Sequence, residues 1–564
     1  MGFEFWRFFI AAFIVLFNPI ASQRQGADPG YKFLHHATSA PSVSYYDYIV
    51  IGGGTAGCPL AATLSEKSFV LLLERGGSPY ENPNITFPSG FGRPLADLSH
   101  SSPSQRFISE DGVINARARV LGGGSCINAG FYSRASADYI AAAGFDGKLV
   151  NESYGWVEKL VAFEPLMEHW QTAVRDGLLE AGVGPDNGYT FDHLIGTKIG
   201  GTLFDAEGRR HTAADLLKYA DPAKLTVLLH ASVHKILFIL KEGKSPVANG
   251  VVFIDGFGKL HKAYLNGGPK NEIILSAGAI GSPQLLILSG VGPLGQLKAH
   301  NITKVLDQPF VGQGMSDNPM NAVFVPSPIP VEISLIQAVG ITPFGSYIEA
   351  ASGEFFVGGW LQDHLTSTSD KVGGIWYSQD AEDINPPDGG GGGGIQGGFV
   401  LEKIMGPLSK GYLELKNKNP NDNPSVTFNY FSHPVDVQRC VEGLKVMTSV
   451  LESKAFSPFK YRDMNVSLLL DIVASAPINL RAKHPNTTTS LEQFCKDTVM
   501  TIWHYHGGCE VGKVVDSDYK VMGVDRLRVI DGSTFSESPG TNPQATVMML
   551  GRYMGVKILR GRSH

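Results

Sequence analysis

Asp47-Tyr-Ile-Val-Ile-Gly-Gly-Gly-Thr-Ala-Gly-Cys58, followed by Phe69-Val-Leu-Leu-Leu-Glu-Arg75, decides how this chain is read. An apolar strand runs into Gly52-x-Gly54-x-x-Gly57, a helix follows, and a second apolar strand ends on Glu74. Each part has a task in holding a dinucleotide. Gly52 permits the tight turn, Gly54 lets backbone approach a pyrophosphate, and Gly57 lets the helix pack closely on the sheet. The helix N-terminus presents free N–H groups to phosphate. Glu74 is placed to accept from a ribose diol. The glycines alone are a weak signal; between two such strands they specify a nucleotide-cofactor enzyme.

At 564 residues the chain exceeds the size of a single core, so two domains are expected. A formal charge of −6 with scattered basic residues gives no reason to expect nucleic acid as a partner. Arg7 precedes an apolar run, Phe8 to Phe17, and then small residues at Ala21 and Ser22. This pattern resembles a signal peptide over residues 1–22 and implies secretion. A membrane anchor is the competing reading, but the run falls short of the roughly 20 apolar residues a span needs, and no other segment is long and apolar enough. Five sequons, at Asn84, Asn151, Asn301, Asn465 and Asn486, suit a secretory route. Of the five cysteines, Cys58, Cys126 and Cys509 sit in glycine-rich segments where small buried residues are expected. Cys440 and Cys495 are left as the candidate disulfide. No cysteine or histidine spacing suggests a metal site.

Farther along, Arg117-Ala-Arg-Val-Leu-Gly-Gly-Gly-Ser-Cys-Ile-Asn128 is a backbone-rich turn. It suits a planar ligand, and equally an ordinary glycine loop. Leu225 to Phe238 reads as two strands, Val251–Ile254 as another, and Glu272-Ile-Ile-Leu275 as a strand before a glycine turn. A helix started at Ser282/Pro283 follows. From about 312 to 496 the character changes to short strands rich in proline and aromatics, including Gly411–Lys416 and Ser425–Tyr430, which imply a separate antiparallel sheet. The Gly389–Gly394 run reads as a mobile surface loop. Leu527 to Ser533 returns to a buried strand with an acidic end, and an apolar helix starts near Gln544. The expected fold is therefore α/β: a Rossmann-like cofactor domain from residues 45–134, 198–311 and 497–560, and an α+β substrate domain from 135–197 and 312–496.

Thr501-Ile-Trp-His-Tyr-His-Gly-Gly-Cys509 and Pro539-Gly-Thr-Asn-Pro-Gln-Ala-Thr546 are where chemistry is expected. Histidine accepts a proton near neutral pH, although Trp503 to His506 also fits packed aromatics with satisfied N–H groups.

Together these segments resemble the GMC (glucose–methanol–choline) flavin oxidoreductases over essentially the whole chain after about residue 45. Arg119-x-Leu-Gly-Gly-Gly-Ser-x-Ile-Asn128 fits the first GMC signature, and Gly278 to Gly292 fits the second. Ser44-Tyr-Tyr-Asp-Tyr-Ile, Glu110-Asp-Gly-Val-Ile-Asn-Ala-Arg and Arg209-Arg-His-Thr-Ala-Ala-Asp215 are similar to the plant HOTHEAD branch, close to the plant mandelonitrile lyases.

The resemblance implies FAD. It sets Gly52, Gly54, Thr55, Ala56 and Gly57 at the pyrophosphate and Glu74 and Arg75 beside the adenosine ribose. Val233 would meet adenine, and Val120, Gly124, Asn128, Ala129, Gly130 and Phe131 would line the flavin and ribityl chain. Trp503, Gly532, Pro543 and Gln544 would close the site. Ile127 occupies the position where some members tether FAD through histidine, which implies a non-covalent cofactor. His504 matches the catalytic histidine and Asn542 its partner, with His506 the lower-ranked alternative base. The base takes the hydroxyl proton as hydride leaves for flavin N5, and the Asn542 amide meets the emerging alkoxide. The lyases carry His where this chain has Asn542 and Tyr where it has Ile502, which favours alcohol oxidation over cyanohydrin cleavage. A secreted protein holding FAD as a structural ligand is the third reading, and the intact His504/Asn542 pair argues against it. The branch further implies long-chain ω-hydroxy fatty acids, oxidised toward aldehydes and diacids for cutin, as substrates.

Overall fold

The computed structural model describes residues 29–80, 82–353, 396–476 and 478–562. The expected signal peptide and the Gly389–Gly394 run lie outside them.

Tyr48–Ile51, Val70–Leu73 and Glu272–Leu275 are buried at every position. Such strands have no solvent face, so their apolar runs suit a parallel sheet covered on both sides. They lie in a six-stranded sheet ordered Leu34–His36, Leu225–Leu229, Val70–Leu73, Tyr48–Ile51, Glu272–Leu275, Leu527–Val529. Every pairing in it is parallel. The strand order reverses beside Tyr48–Ile51, and ligands of such sheets bind at the carboxyl ends of strands at that switch point. The turns leaving it are Gly52 to Gly57 and Ser276 to Gly278.

Helix Gly57–Ser65 covers one face, together with the C-terminal helix Gln544–Arg562. The latter is fixed to helix Gly147–Val161 where Thr546 and Tyr154 hydroxyls meet at 2.9 Å, and the Asp146 N–H donates to the Tyr553 hydroxyl at 3.1 Å. Ser232–Ile239, Val247–Ile254, Leu260–Leu265 and Val43–Tyr46 form a second, four-stranded sheet.

The helix expected from Ser282/Pro283 starts earlier, at Gly278, and runs to Leu288 with Pro283 inside it. Its start is set by a distant carboxylate. Asp531 accepts from the Gly278 N–H at 2.9 Å and from the Ser282 hydroxyl at 2.5 Å. Ser282 thus serves the cap from within the helix instead of beginning it.

The region after 312 supplies five strands of a seven-stranded sheet ordered Met500–Thr501, Pro319–Pro326, Gly397–Ile404, Ser346–Ser352, Ala338–Ile341, Gly196–Ile199, Asp186–Tyr189, the last two coming from before it. It is antiparallel except for its last pair. Gly411–Glu414 and Ser425–Thr427 join Gln313–Met315 in a separate three-stranded antiparallel sheet. Gly196–Ile199 crosses the expected division at 197/198, and Met500–Thr501, assigned to the cofactor domain, pairs with Pro319 and Met320 of this sheet.

Cys440, in helix Pro434–Glu452, is bonded to Cys495, in helix Leu491–Asp497. Cys58, Cys126 and Cys509 are buried free thiols. Asn151, Asn301, Asn465 and Asn486 are exposed; Asn84 is half-buried, and the Thr86 hydroxyl of its sequon is taken by the Asn82 carbonyl at 2.9 Å. Among the described residues no helix is long and apolar enough to cross a membrane, and no cluster could hold a metal.

Candidate active site

Gly52 has φ 102°, and a Cβ there would fall against the Ser276 carbonyl. A Cβ on Gly57 would run into the carbonyl of Gly52. Glycine is required at both, the first for conformation and the second for contact. Gly52, Gly54, Thr55 and Ala56 line a cavity of about 610 Å³. Gly57 does not reach its wall, in contrast to the pyrophosphate contact expected of it; it seats the helix against the turn.

Glu74 leaves the next strand, buried, and lines the same cavity. Its Oε2 accepts from the Gly53 N–H at 2.9 Å and its Oε1 from the Gly76 N–H at 2.7 Å. Each oxygen retains lone-pair capacity for a ribose diol. Burial pushes this carboxyl up from its ordinary range, opposed by the Gly76 N–H, Arg75 and the Gly53 N–H. Arg75 is spent on Gln105 at 2.7 Å and the Ala118 carbonyl at 2.9 Å, which ties the turn to the neighbouring hairpin.

The lining also includes Val120, Gly124, Ile127, Asn128, Ala129, Gly130 and Phe131. Asn128 donates to Gln544 Oε1 at 2.8 Å, and Gln544 Nε2 donates to the Phe131 carbonyl at 2.5 Å. These two side chains therefore brace the loop against the C-terminal helix. Val233, Trp503, Gly532 and Pro543 complete the lining.

Arg117 Nη2, Trp503 Nε1 and Asn542 Oδ1 are buried without a hydrogen-bond partner among the described residues, and all three side chains line the cavity. An unmet buried polar atom costs roughly 1–3 kcal/mol, so the cavity wall is built for a ligand with polar groups along its length. With the glycine cradle and Glu74, these residues fit a dinucleotide.

The turn carrying the histidines grows from Met500–Thr501. Trp503 has φ 59°, a left-handed conformation that a bulky residue rarely takes. The structure holds it by hydrogen bonds: the Trp503 N–H donates to Thr501 Oγ1 at 2.8 Å, and the His504 N–H to Asp317 Oδ1 at 2.9 Å. Asp317 Oδ2 also accepts from the hydroxyls of Thr501 at 2.6 Å and Tyr430 at 2.5 Å. Burial pushes the Asp317 carboxyl up to about 6 against these donors.

His504 lines the cavity, with Nδ1 3.2 Å from the Asn318 amide and 3.4 Å from the Tyr347 hydroxyl. Burial holds its imidazole well below the usual histidine range, with the charges of Lys403 and then His506 adding to the effect. It is thus neutral and able to accept a proton near pH 7. His506 also lines the cavity; its Nδ1 lies 3.0 Å from the His504 carbonyl, which can only accept, so Nδ1 carries the proton and Nε2 is a buried lone pair without a partner among the described residues. Burial and then Lys410 push His506 down to about 3.

Asn542 shares the wall with His504, and its side chain, after Lys403, favours the charged form of Glu349 against the burial that pushes that carboxyl up. Glu349 is in turn ion-paired with Lys403, both fully buried. Beside the histidine turn the wall is apolar. Met320, Ala322 and Leu401 pack with Phe399, Met500 and Ile502, and all six line the cavity.

Sequence reasoning missed Arg117, Asp317, Asn318, Tyr347, Glu349 and Lys403. Arg117 heads the glycine turn of residues 117–128 but is given no role there; no short motif marks the other five, because strand pairing brings them to the site from distant positions.

Residues 46–320 and 407–551 match the N-terminal and C-terminal regions of the GMC oxidoreductases. The chain is 56% identical to Protein HOTHEAD of Arabidopsis thaliana over 529 residues, 92% of this chain and 89% of that one. It is 47% identical to an (R)-mandelonitrile lyase-like protein of the same plant, over 96% of this chain and 95% of the relative. It is 43% identical to the sinapyl alcohol oxidase Nec3 of Nesocodon mauritianus, over 95% and 93% respectively. Among solved structures, pyridoxine 4-oxidase from Mesorbium loti superposes with a TM-score of 0.70 at 21% identity, over 92% of this chain and 99% of that one. The chain belongs to the GMC oxidoreductase family. Within that family it is an FAD-dependent oxidoreductase, with FAD the dinucleotide its cavity takes.

Proposed function

We propose that this enzyme oxidises a primary alcohol whose body is long and apolar. The observation that carries the reading is the placement of His504 and Asn542 on one cavity wall, beside the apolar surface of Met320, Ala322, Phe399, Leu401, Met500 and Ile502. FAD, when bound, supplies the acceptor for the hydrogen and electron pair leaving the alcohol carbon. His504 takes the hydroxyl proton; the Asn542 amide steadies the oxygen as charge grows on it. The apolar wall excludes water, which strengthens both interactions. Ile127 offers no group for a covalent tether, so the flavin is held non-covalently.

The HOTHEAD resemblance points to ω-hydroxy fatty acids, oxidised toward aldehydes and diacids for cuticle, by a protein of the secretory pathway. The buried disulfide agrees with such a compartment. Anaerobic mixing of the purified flavoprotein with an ω-hydroxy fatty acid tests the reading, with mandelonitrile as the second arm. Bleaching of the oxidised flavin band by the fatty alcohol is expected. Benzaldehyde release from mandelonitrile, with the flavin band intact in both arms, would sink oxidation in favour of the lyase.

A further inference from the structure

We propose that Asn318 and Tyr347 are positioning residues that keep the His504 ring proton on Nδ1, leaving Nε2 free as the base. The inference rests on the reading of His504 as that base. A neutral imidazole carries one N–H and one bare nitrogen, and which is which depends on its neighbours. Among the described residues, both side chains hydrogen-bonded to the ring meet it at Nδ1, Asn318 at 3.2 Å and Tyr347 at 3.4 Å.

Tyr347 settles what it can offer. Its hydroxyl has a single proton, and that proton goes to the Thr541 carbonyl at 3.0 Å, which can only accept. Toward His504 the phenol therefore presents a lone pair, which is satisfied by an N–H at Nδ1. Asn318 fits the same arrangement with its amide turned. With its nitrogen toward the ring, its Oδ1 is buried and has no partner. Amide nitrogen and oxygen exchange places by a half-turn of the side chain. Turned, Oδ1 accepts from His504 Nδ1 and from the Ser538 hydroxyl, which lies 3.2 Å from the same amide position.

The backbone is fixed from the adjacent residue, where Asp317 accepts the His504 N–H at 2.9 Å. The Asp317-Asn318 pair thus grips one histidine at its main chain and at its ring. A base whose lone pair faced Asn318 would show the substrate hydroxyl an N–H, and proton removal would fail.

The test uses full-length, FAD-loaded protein labelled with ¹⁵N-histidine. The His504 signals are identified by their disappearance in His504→Gln. The expected result is a proton-bearing Nδ1 and a bare Nε2 in the unsubstituted protein, with a mixed population in the Asn318→Leu/Tyr347→Phe double variant. That double variant reduces its flavin with alcohol at least ~10-fold more slowly, part of the 10²–10⁴ that a positioned base contributes. Asn318→Asp places a carboxylate at Nδ1 and moves the acid limb of flavin reduction up by about 1–3 pH units. Unchanged flavin absorbance shows that each variant has kept its fold and cofactor. A protonated Nε2 in the unsubstituted protein would overturn the inference. So would an acid limb that stays put in Asn318→Asp. Full-speed flavin reduction by His504→Gln would remove the base reading alone, since the nitrogen signals report the tautomer without turnover.

Discussion

His504 and His506 stand two residues apart, and burial depresses both, yet they have different prospects. Both line the cavity: His506 has its Nδ1 proton on the His504 carbonyl and Nε2 bare, while His504 has its Nδ1 face held by Asn318 and Tyr347 and is the proposed base. His504→Ala should leave FAD bound and slow flavin reduction by alcohol on the order of 10²-fold or more. An unchanged stopped-flow reduction rate would remove the assignment. The depressed His504 also fixes the pH window. Its cation is disfavoured by burial first and Lys403 next, so the acid limb of flavin reduction falls below the ordinary histidine value of about 6.5. His506 makes the corresponding stability argument. Its folded value of about 3 lies below its unfolded one, so the unfolded chain binds the extra proton as pH drops. Stability from this residue is intact above about pH 6.5 and declines by about 1.4 kcal/mol per pH unit from there toward 3. His506→Gln should flatten that part of the urea-midpoint profile. A variant profile parallel to that of the unsubstituted protein between pH 4 and 6 would contradict the value.

At the scale of elements, the glycine turn was legible because its logic is local. Gly52, Gly54, Gly57 and Glu74 lie within two strands and a helix, and each requirement is visible in residue type and spacing. The start of helix Gly278–Leu288 was not legible, because its cap comes from Asp531, more than 250 positions away in sequence. The supports of the histidine turn were hidden in the same way. Pro319 pairs with Thr501 and Tyr347 with Lys403, and no periodicity in the sequence announces either pairing. Asp317 matters most among these hidden residues, since one carboxylate accepts a main-chain N–H and two hydroxyls around the left-handed Trp503. Asp317→Ala would strand those donors in the interior at roughly 1–3 kcal/mol each. The expected loss is at least ~3 kcal/mol by urea unfolding, accompanied by slower flavin reduction. Asp317→Asn, which keeps the shape and one accepting oxygen, should lose less. Equal stability of the alanine variant and the unsubstituted protein would show that the turn supports itself.

Across the whole molecule, the catalytic wall is shared between a parallel sheet that the N-terminal motif announced and an antiparallel sheet whose pairing it did not. Only the three-dimensional structure shows that the last strand before His504 is an edge of the second sheet. The segment leading into that strand is anchored by Cys440–Cys495, a bridge that closes a loop 55 residues apart in sequence and immediately precedes Met500–Thr501. Loop-closure entropy assigns such a bridge about 4 kcal/mol, through the freedom it removes from the unfolded chain. Both sulfurs are fully buried, so paired alanines would add an interior void to the entropic loss. Cys440→Ala/Cys495→Ala should therefore lower the unfolding midpoint in urea. Because the bridge backs the strand carrying the histidine turn and not the glycine cradle, FAD retention at low denaturant should persist while alcohol-driven flavin reduction declines first. Loss of flavin before loss of reduction would show instead that the bridge supports the cofactor sheet.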